Sequence, residues 1–144
     1  MSGETDLVKL LRTLAPVQQP GSYVFCTVAS LHGFCTVASL HGLDVRESIG
    51  QFREPEGFTL ILPQATADRL QLPYSYEATW LTLSVHSSLE AVGLTAAVAQ
   101  ALAAVQVSCN VVAAYYHDHI FVATRDADNA MQALRDLAAA AMAG

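Results

Sequence analysis

Charge is scarce in this sequence. Only 14% of its 144 residues are Asp, Glu, Lys or Arg, seven of them basic, and the formal net charge is -6 at pH 7. A phosphate backbone calls for a basic stripe, and seven scattered cations supply none, so no nucleic-acid partner is expected. An acidic surface also disfavours anionic lipid, so no membrane partner is expected either. Cysteine is limited to Cys26, Cys35 and Cys109. That odd count, without zinc-type spacing, excludes a disulfide framework and a structural zinc site. Each thiol sits in an apolar run and reads as a small core group. No run of 18 uninterrupted apolar residues exists. The most apolar stretch, residues 91–107, carries Thr95, Gln100 and Gln106 and reads as a packed helix. The acidic opening, residues 1–6, has no basic segment leading into an apolar one, so no secretory signal and a cytoplasmic location are expected. A Gly-rich phosphate loop, a Gly-x-Ser-x-Gly elbow and a His-Glu-x-x-His helix are all missing from the sequence. Neither an enzyme nor a cofactor is therefore expected. Cys109 with His117 or His119 could imitate a Cys-His pair, but a nucleophilic thiol needs access and a positive setting, which an apolar strand does not give.

What is present is apolar material: 53% of the residues are hydrophobic, enough to exclude disorder and to build a core. Asp6 can cap a helix over residues 7–14, with Leu7, Leu10, Leu11 and Leu14 on one face and Pro16, Pro20 and Gly21 beyond it. Residues 22–28 and 48–52 read as strands. Glu54-Pro55-Glu56-Gly57 is a turn, leading to a strand over 58–62 and a short helix from Pro63 to residue 70. Residues 74–85 read as a long extended segment. Ser87 or Ser88 can cap a helix over 89–105, with Glu90 at its positive end and an apolar stripe through Leu94, Val98 and Leu102. A strand over 107–116, a tight turn at His117-Asp118 and a return strand over 119–124 follow. Asp126 or Asp128 then caps a last helix, with Met131, Leu134, Leu137 and Ala138 inward.

From Thr79 the order is strand, helix, strand, strand, helix, one strand short of a ferredoxin-like unit, and the first half reads as the same unit lacking its first strand. The expectation is an α+β protein: a ferredoxin-like antiparallel sheet with helices on one face, built from two complementary halves, 1–75 and 76–144. A tandem repeat interrupts the first half. FCTVASLHG occupies 25–33 and again 34–42. An odd period swaps the inward and outward faces of a continuous strand, so one copy is expected in the sheet and the other in a different environment.

The stretch VHSSLEAVGLTAAVAQALAAVQVSCNVVAAYYHDHIFV, residues 85–122, resembles an ACT domain. Its phrase Val107-Ser108-Cys109-Asn110-Val111 departs mildly where isoleucine is usual, at Val107, and more strongly where glycine precedes it, at Gln106. Across most of its length the chain is also similar to a narrower group of free-standing bacterial ACT-like proteins of unknown physiological role. The phrases that carry this are YVFCTV at 23–28, FREPEGFTLILP at 52–63, HSSLEAVGLTAAV at 86–98 and YYHDHIFV at 115–122. The resemblance implies binding of an amino acid at an interface of paired domains, and regulation rather than catalysis. A free-standing sensor or a subunit of a complex is implied. An open strand edge adds the expectation of a homodimer, or of internal pairing between the halves.

The candidate ligand site is the loop into the long helix. A strand that ends at a helix N-terminus offers unpaired N–H groups to a carboxylate. Gly93 would let a ligand approach. His86, Ser87, Ser88, Glu90 and Thr95 offer polar groups, Val92, Leu94 and Val111 an apolar wall, and Asn110 an amide. The plainer alternative is that Ser88 only caps, Gly93 only packs and Glu90 is solvated. His117 and His119, with His86 the one distant partner, are weak metal candidates, and a polar hairpin with internally bonded imidazoles is the favoured alternative. Three functions follow: a small-molecule-binding regulatory module, an assembly protein that joins sheet edges without ligand, and a small metal-dependent enzyme using the His117–His119 hairpin.

Overall fold

Local signals place most of the elements. In the computed structural model, which describes residues 3–29 and 43–144, Asp6 Oδ1 accepts from Lys9 N at 3.2 Å and opens helix α1, Leu7–Arg12. Strands β1, Pro16–Gln18, β2, Tyr23–Val28, β3, Gly50–Glu54, and β4, Gly57–Pro63, precede helix α2, Gln64–Arg69. Strand β5, Glu77–Leu83, helix α3, Leu94–Ala104, strands β6, Asn110–Ala113, and β7, Asp118–Ala123, and helix α4, Ala127–Ala143, complete the chain. The order β5-α3-β6-β7-α4 is the expected strand, helix, strand, strand, helix.

The chain divides into two compact units, one made of Met1–Pro20 with Thr79–Gly144, the other of Gly21–Ala78. The first twenty residues thus group with the C-terminal half.

In the first unit β1 pairs antiparallel with β5, Pro16 opposite Leu83 and Gln18 opposite Leu81. Strand β7 lies between β5 and β6, and β6 and β7 form an antiparallel hairpin with Asn110 opposite Phe121 and Ala113 opposite Asp118. Alternation sends Leu81, Leu83, Ile120 and Val122 into one core. Leu94, Val98 and Leu102, four residues apart on α3, meet them there, as do Leu10 of α1 and Leu134 of α4. Burying each such side chain contributes about 1.5–3 kcal/mol. Arg12 reaches from α1 to the far end of α4, donating from Nε to Ala141 O and from its Nη2 to Gly144 O, both at 3.0 Å.

In the second unit β2 pairs antiparallel with β4 along its whole length, from Tyr23 opposite Pro63 to Val28 opposite Phe58. On its other side Tyr23 and Val24 face Ala78 and Glu77. The β3–β4 hairpin closes with Glu54 opposite Gly57, where the turn was expected. Val24, Cys26, Val28, Leu60 and Leu62 alternate inward, and Ala67 of α2 packs on them. Phe25 to Val28, the start of the first repeat copy, lie in β2. The rest of that copy from residue 30 and all of the second, Cys35 included, fall outside the described residues, and so does the expected difference between the copies.

Several boundaries differ from expectation. Helix α3 begins at Leu94, not at residue 89, because Gly93 takes a left-handed φ of +99° that no continuous helix contains. The segment before it is a turn: Ala91 N donates to Ser88 O and Glu90 N to Ser88 Oγ. The helix ends at a Schellman motif, with Val107 N donating to Leu102 O and Gln106 N to Ala103 O. Gln106 sits there at φ +61°, where the ACT-like phrase usually has glycine. The turn after β6 is two residues earlier than expected: Ala114 N donates to His117 O at 3.0 Å around Tyr115 and Tyr116, and Asp118 already belongs to β7. Strand β1 was not expected at all. A proline can open an edge strand, since it lacks only an N–H that an edge need not use.

Candidate functional site

The expected loop begins where β5 ends. Ser84 donates to Ala15 O from both N and Oγ. Beyond it a short N-terminal strap is laid alongside: Glu4 N donates to His86 O at 2.8 Å, and Ser88 N donates to Glu4 O at 2.9 Å. A Cβ on Gly3 would stand 2.5 Å from Ser88 N, so only glycine lets the backbones approach this closely. Glu4 Oε1 accepts from Thr5 N and Asp6 N, and Glu4 Oε2 pairs with Lys9 Nζ at 2.5 Å. The Lys9 ammonium first, then these backbone donors, hold the Glu4 carboxyl down at about 2.

The loop residues take distinct places. Ser87 is buried and donates from Oγ to the buried Asp118 Oδ2 at 3.0 Å, so it joins β7 and not the loop mouth. Ser88 and Glu90 are brought together in the turn. Val92 is exposed and Leu94 is buried in the core, so they do not form one wall. Val111 packs against the same core. Asn110 turns its amide to Phe121 O at 3.2 Å. A Cβ built on Gly93 would meet Leu7 Cδ2 at 2.9 Å, which places that face of the glycine against α1. Gly93 caps α3 without a side-chain hydrogen bond, so no side chain at the cap covers the first-turn N–H groups of Leu94, Thr95 and Ala96. The His86 ring stands 5.4 Å from that of the exposed Tyr116.

The histidine hairpin is engaged internally. His117 Nδ1 lies 3.1 Å from Val85 O. His119 Nδ1 accepts from Trp80 Nε1 at 2.9 Å and lies 3.1 Å from Thr82 Oγ1, which in turn accepts from Gln19 Nε2. Burial, then the neighbouring His117, lowers the His119 pKa against a smaller opposing pull from Asp118. Among the described residues no group of three His, Cys, Asp or Glu side chains is placed to hold a metal. Burial also pushes the Cys26 and Cys109 thiols up, away from the thiolate a nucleophile needs.

Sequence reasoning did not single out Glu4 or Lys9, and it set Asp118 in the turn, as a carboxylate beside the two histidines, where the structure has it as the first residue of β7, bonded to Ser87. Asp118 could have been found by alternation, being two residues before Ile120 on the core face of β7. Glu4 carried no comparable signal.

Family models of the ACT domain match residues 2–79 and, separately, residues 75–136. The chain belongs to the ACT domain family. A protein of unknown function from Vibrio cholerae, described as a possible transport protein, is 45% identical to this ACT protein. Their match covers 92% of this chain and 95% of that one, with a TM-score of 0.76. The ligand-free regulatory subunit of aspartate kinase from Thermus thermophilus matches at 10% identity, 85% and 95% coverage and a TM-score of 0.59. The E. coli aspartokinase III, in complex with aspartate and ADP, matches at 16% identity and a TM-score of 0.55, over 86% of this chain and 32% of its own. At such identities the two kinase structures share the fold alone. No curated protein matches. The expected α+β, ferredoxin-like ACT architecture is the one observed, and no helix among the described residues is long and apolar enough to cross a membrane.

Proposed function

We propose that this ACT protein is a non-catalytic regulatory module that binds a small carboxylate-bearing molecule of amino-acid type at the start of α3. The observation that carries the reading is Gly93: a left-handed cap with no side chain leaves the positive end of an eleven-residue helix without its own capping group. Ser88, Glu90 and the exposed Thr95 are the polar groups beside it in the chain, and His86 and Asn110 stay candidates for the rim. Family membership supports binding in a regulatory setting, and raised thiols speak against cysteine catalysis. A cytoplasmic homodimer is the form we expect to act.

Calorimetry with the twenty amino acids tests this. One of them should give saturable heat, and Thr95→Ala should weaken it about tenfold, the value of one hydrogen bond to a charged group. Gly93→Val is a poor test, because its side chain would strike Leu7 as well as strain the backbone. No heat with any amino acid would sink the reading. The assembly function would then stand in its place, favoured by the half-exposed Val112 on β6 at the end of the strand order.

A further inference from the structure

We infer that the pocket between α1 and the exit of β5 is a separate subsite for a small zwitterion. The pocket measures about 320 Å³ and is lined by Glu4, Lys9 and Thr13 on one side and Ser84 and His86 on the other, over Leu10. At ~30 Å³ per water this is room for roughly ten waters, which suits a solute of a few heavy atoms.

Its chemistry is bipolar. Glu4 is the anionic pole, and three of its roughly four lone-pair sites are taken by Thr5 N, Asp6 N and Lys9. Lys9 is the cationic pole, with three N–H donors of which Glu4 uses one, and its side chain is two-thirds exposed. The hydroxyls have already given up their protons: Thr13 Oγ1 donates to Lys9 O and Ser84 Oγ to Ala15 O. What they keep is lone pairs, which suit an ammonium and not an anion. The two charged poles cancel, so a solute with a net charge meets one attractive and one repulsive group. A solute carrying both charges meets two attractive ones: its carboxylate on Lys9, its ammonium on Glu4 and the hydroxyls.

The same residues connect the pocket to the loop. Glu4 is bonded through its backbone to His86 O and Ser88 N. An occupant that holds the Glu4 and Lys9 side chains also holds the strap on the strand exit. The assignment does not depend on a ligand at α3.

Titration of the full chain with glycine, followed by amide NMR, tests it, with acetate and methylammonium as singly charged controls. Glycine should shift the amides of Glu4, Lys9, Ser84 and His86 saturably, and should slow hydrogen exchange at Ser88. Acetate and methylammonium should bind at least tenfold more weakly. Lys9→Gln and Glu4→Gln, both checked for an intact melting transition, should each weaken the glycine-induced shifts at Glu4, Lys9, Ser84 and His86 tenfold or more. Acetate binding as tightly as glycine, or wild-type affinity in Lys9→Gln, overturns the subsite. Shifts confined to residues 93–96 and lost in Thr95→Ala overturn it too, while upholding the loop site.

Discussion

Ser87 Oγ donates to Asp118 Oδ2 at 3.0 Å, and the two residues are only 6% and 8% exposed. This bond joins the exit of β5 to the first residue of β7. A carboxylate buried this far relies on each donor it has, since water cannot replace a lost one. Ser87→Ala should cost about 1.5–3 kcal/mol, the range for a hydrogen bond to a charged group. Urea unfolding measures it. A loss under about 0.5 kcal/mol would mean that the hydroxyl is dispensable to the carboxylate.

Gln106 gives a prediction of opposite sign. A left-handed residue with a side chain carries a steric cost of roughly 1–2 kcal/mol that glycine avoids, offset in part by the greater freedom of glycine when unfolded. Gln106→Gly should therefore stabilise the protein by about 0.5–1 kcal/mol and raise Tm by a few degrees. The Schellman bonds of α3 run through backbone atoms and need no side chain at this position. A lower Tm would refute the account.

These two residues also mark how far the sequence could be read. The stripe Leu94, Val98 and Leu102 has helical spacing, so α3 was legible. Its first residue was not, because a serine followed two residues later by an acid announces a turn as well as a cap, and here the turn prevails. Strand β1 escaped because its three residues gain their order from pairing with β5, more than sixty positions away. The loop residues could be named from their chemistry. Their orientations could not: the Ser87 hydroxyl is committed by Asp118 and the His86 carbonyl by Glu4 N, and both partners arrive through tertiary structure.

His119 should confer a pH dependence. Burial lowers its pKa below 6.5, so the folded protein favours the neutral ring that accepts from Trp80. Below 6.5 the unfolded chain takes up the proton first. Stability from this group is therefore complete above about pH 6.5 and falls as the pH drops through that value towards the lowered folded pKa. His119→Gln keeps an acceptor for the Trp80 N–H but cannot titrate. Urea midpoints followed by Trp80 fluorescence should fall between pH 8 and pH 5 in the wild type, and fall less in the variant. Equal declines would remove His119 as the source.

The last prediction concerns the free edge of β6. Ala114 N donates to His117 O, so that pair is hydrogen-bonded, and in an antiparallel ladder bonded pairs alternate. The next bonded pairs are Val112 with His119 and Asn110 with Phe121. Val111 and Ala113 therefore point their N–H and C=O groups away from β7, towards the side of β6 where the strand order ends. A row of such groups is a template for another strand, and a second copy of this chain is the partner we expect. Ala113→Pro removes one outward N–H and leaves the bonds to β7 intact, because position 113 gives none to them. Light scattering should show a dimer for the wild type and a monomer for Ala113→Pro, with unchanged circular dichroism and a Tm within a few degrees. A monomeric wild type would reject the dimer. A variant that stays dimeric would move the interface away from β6.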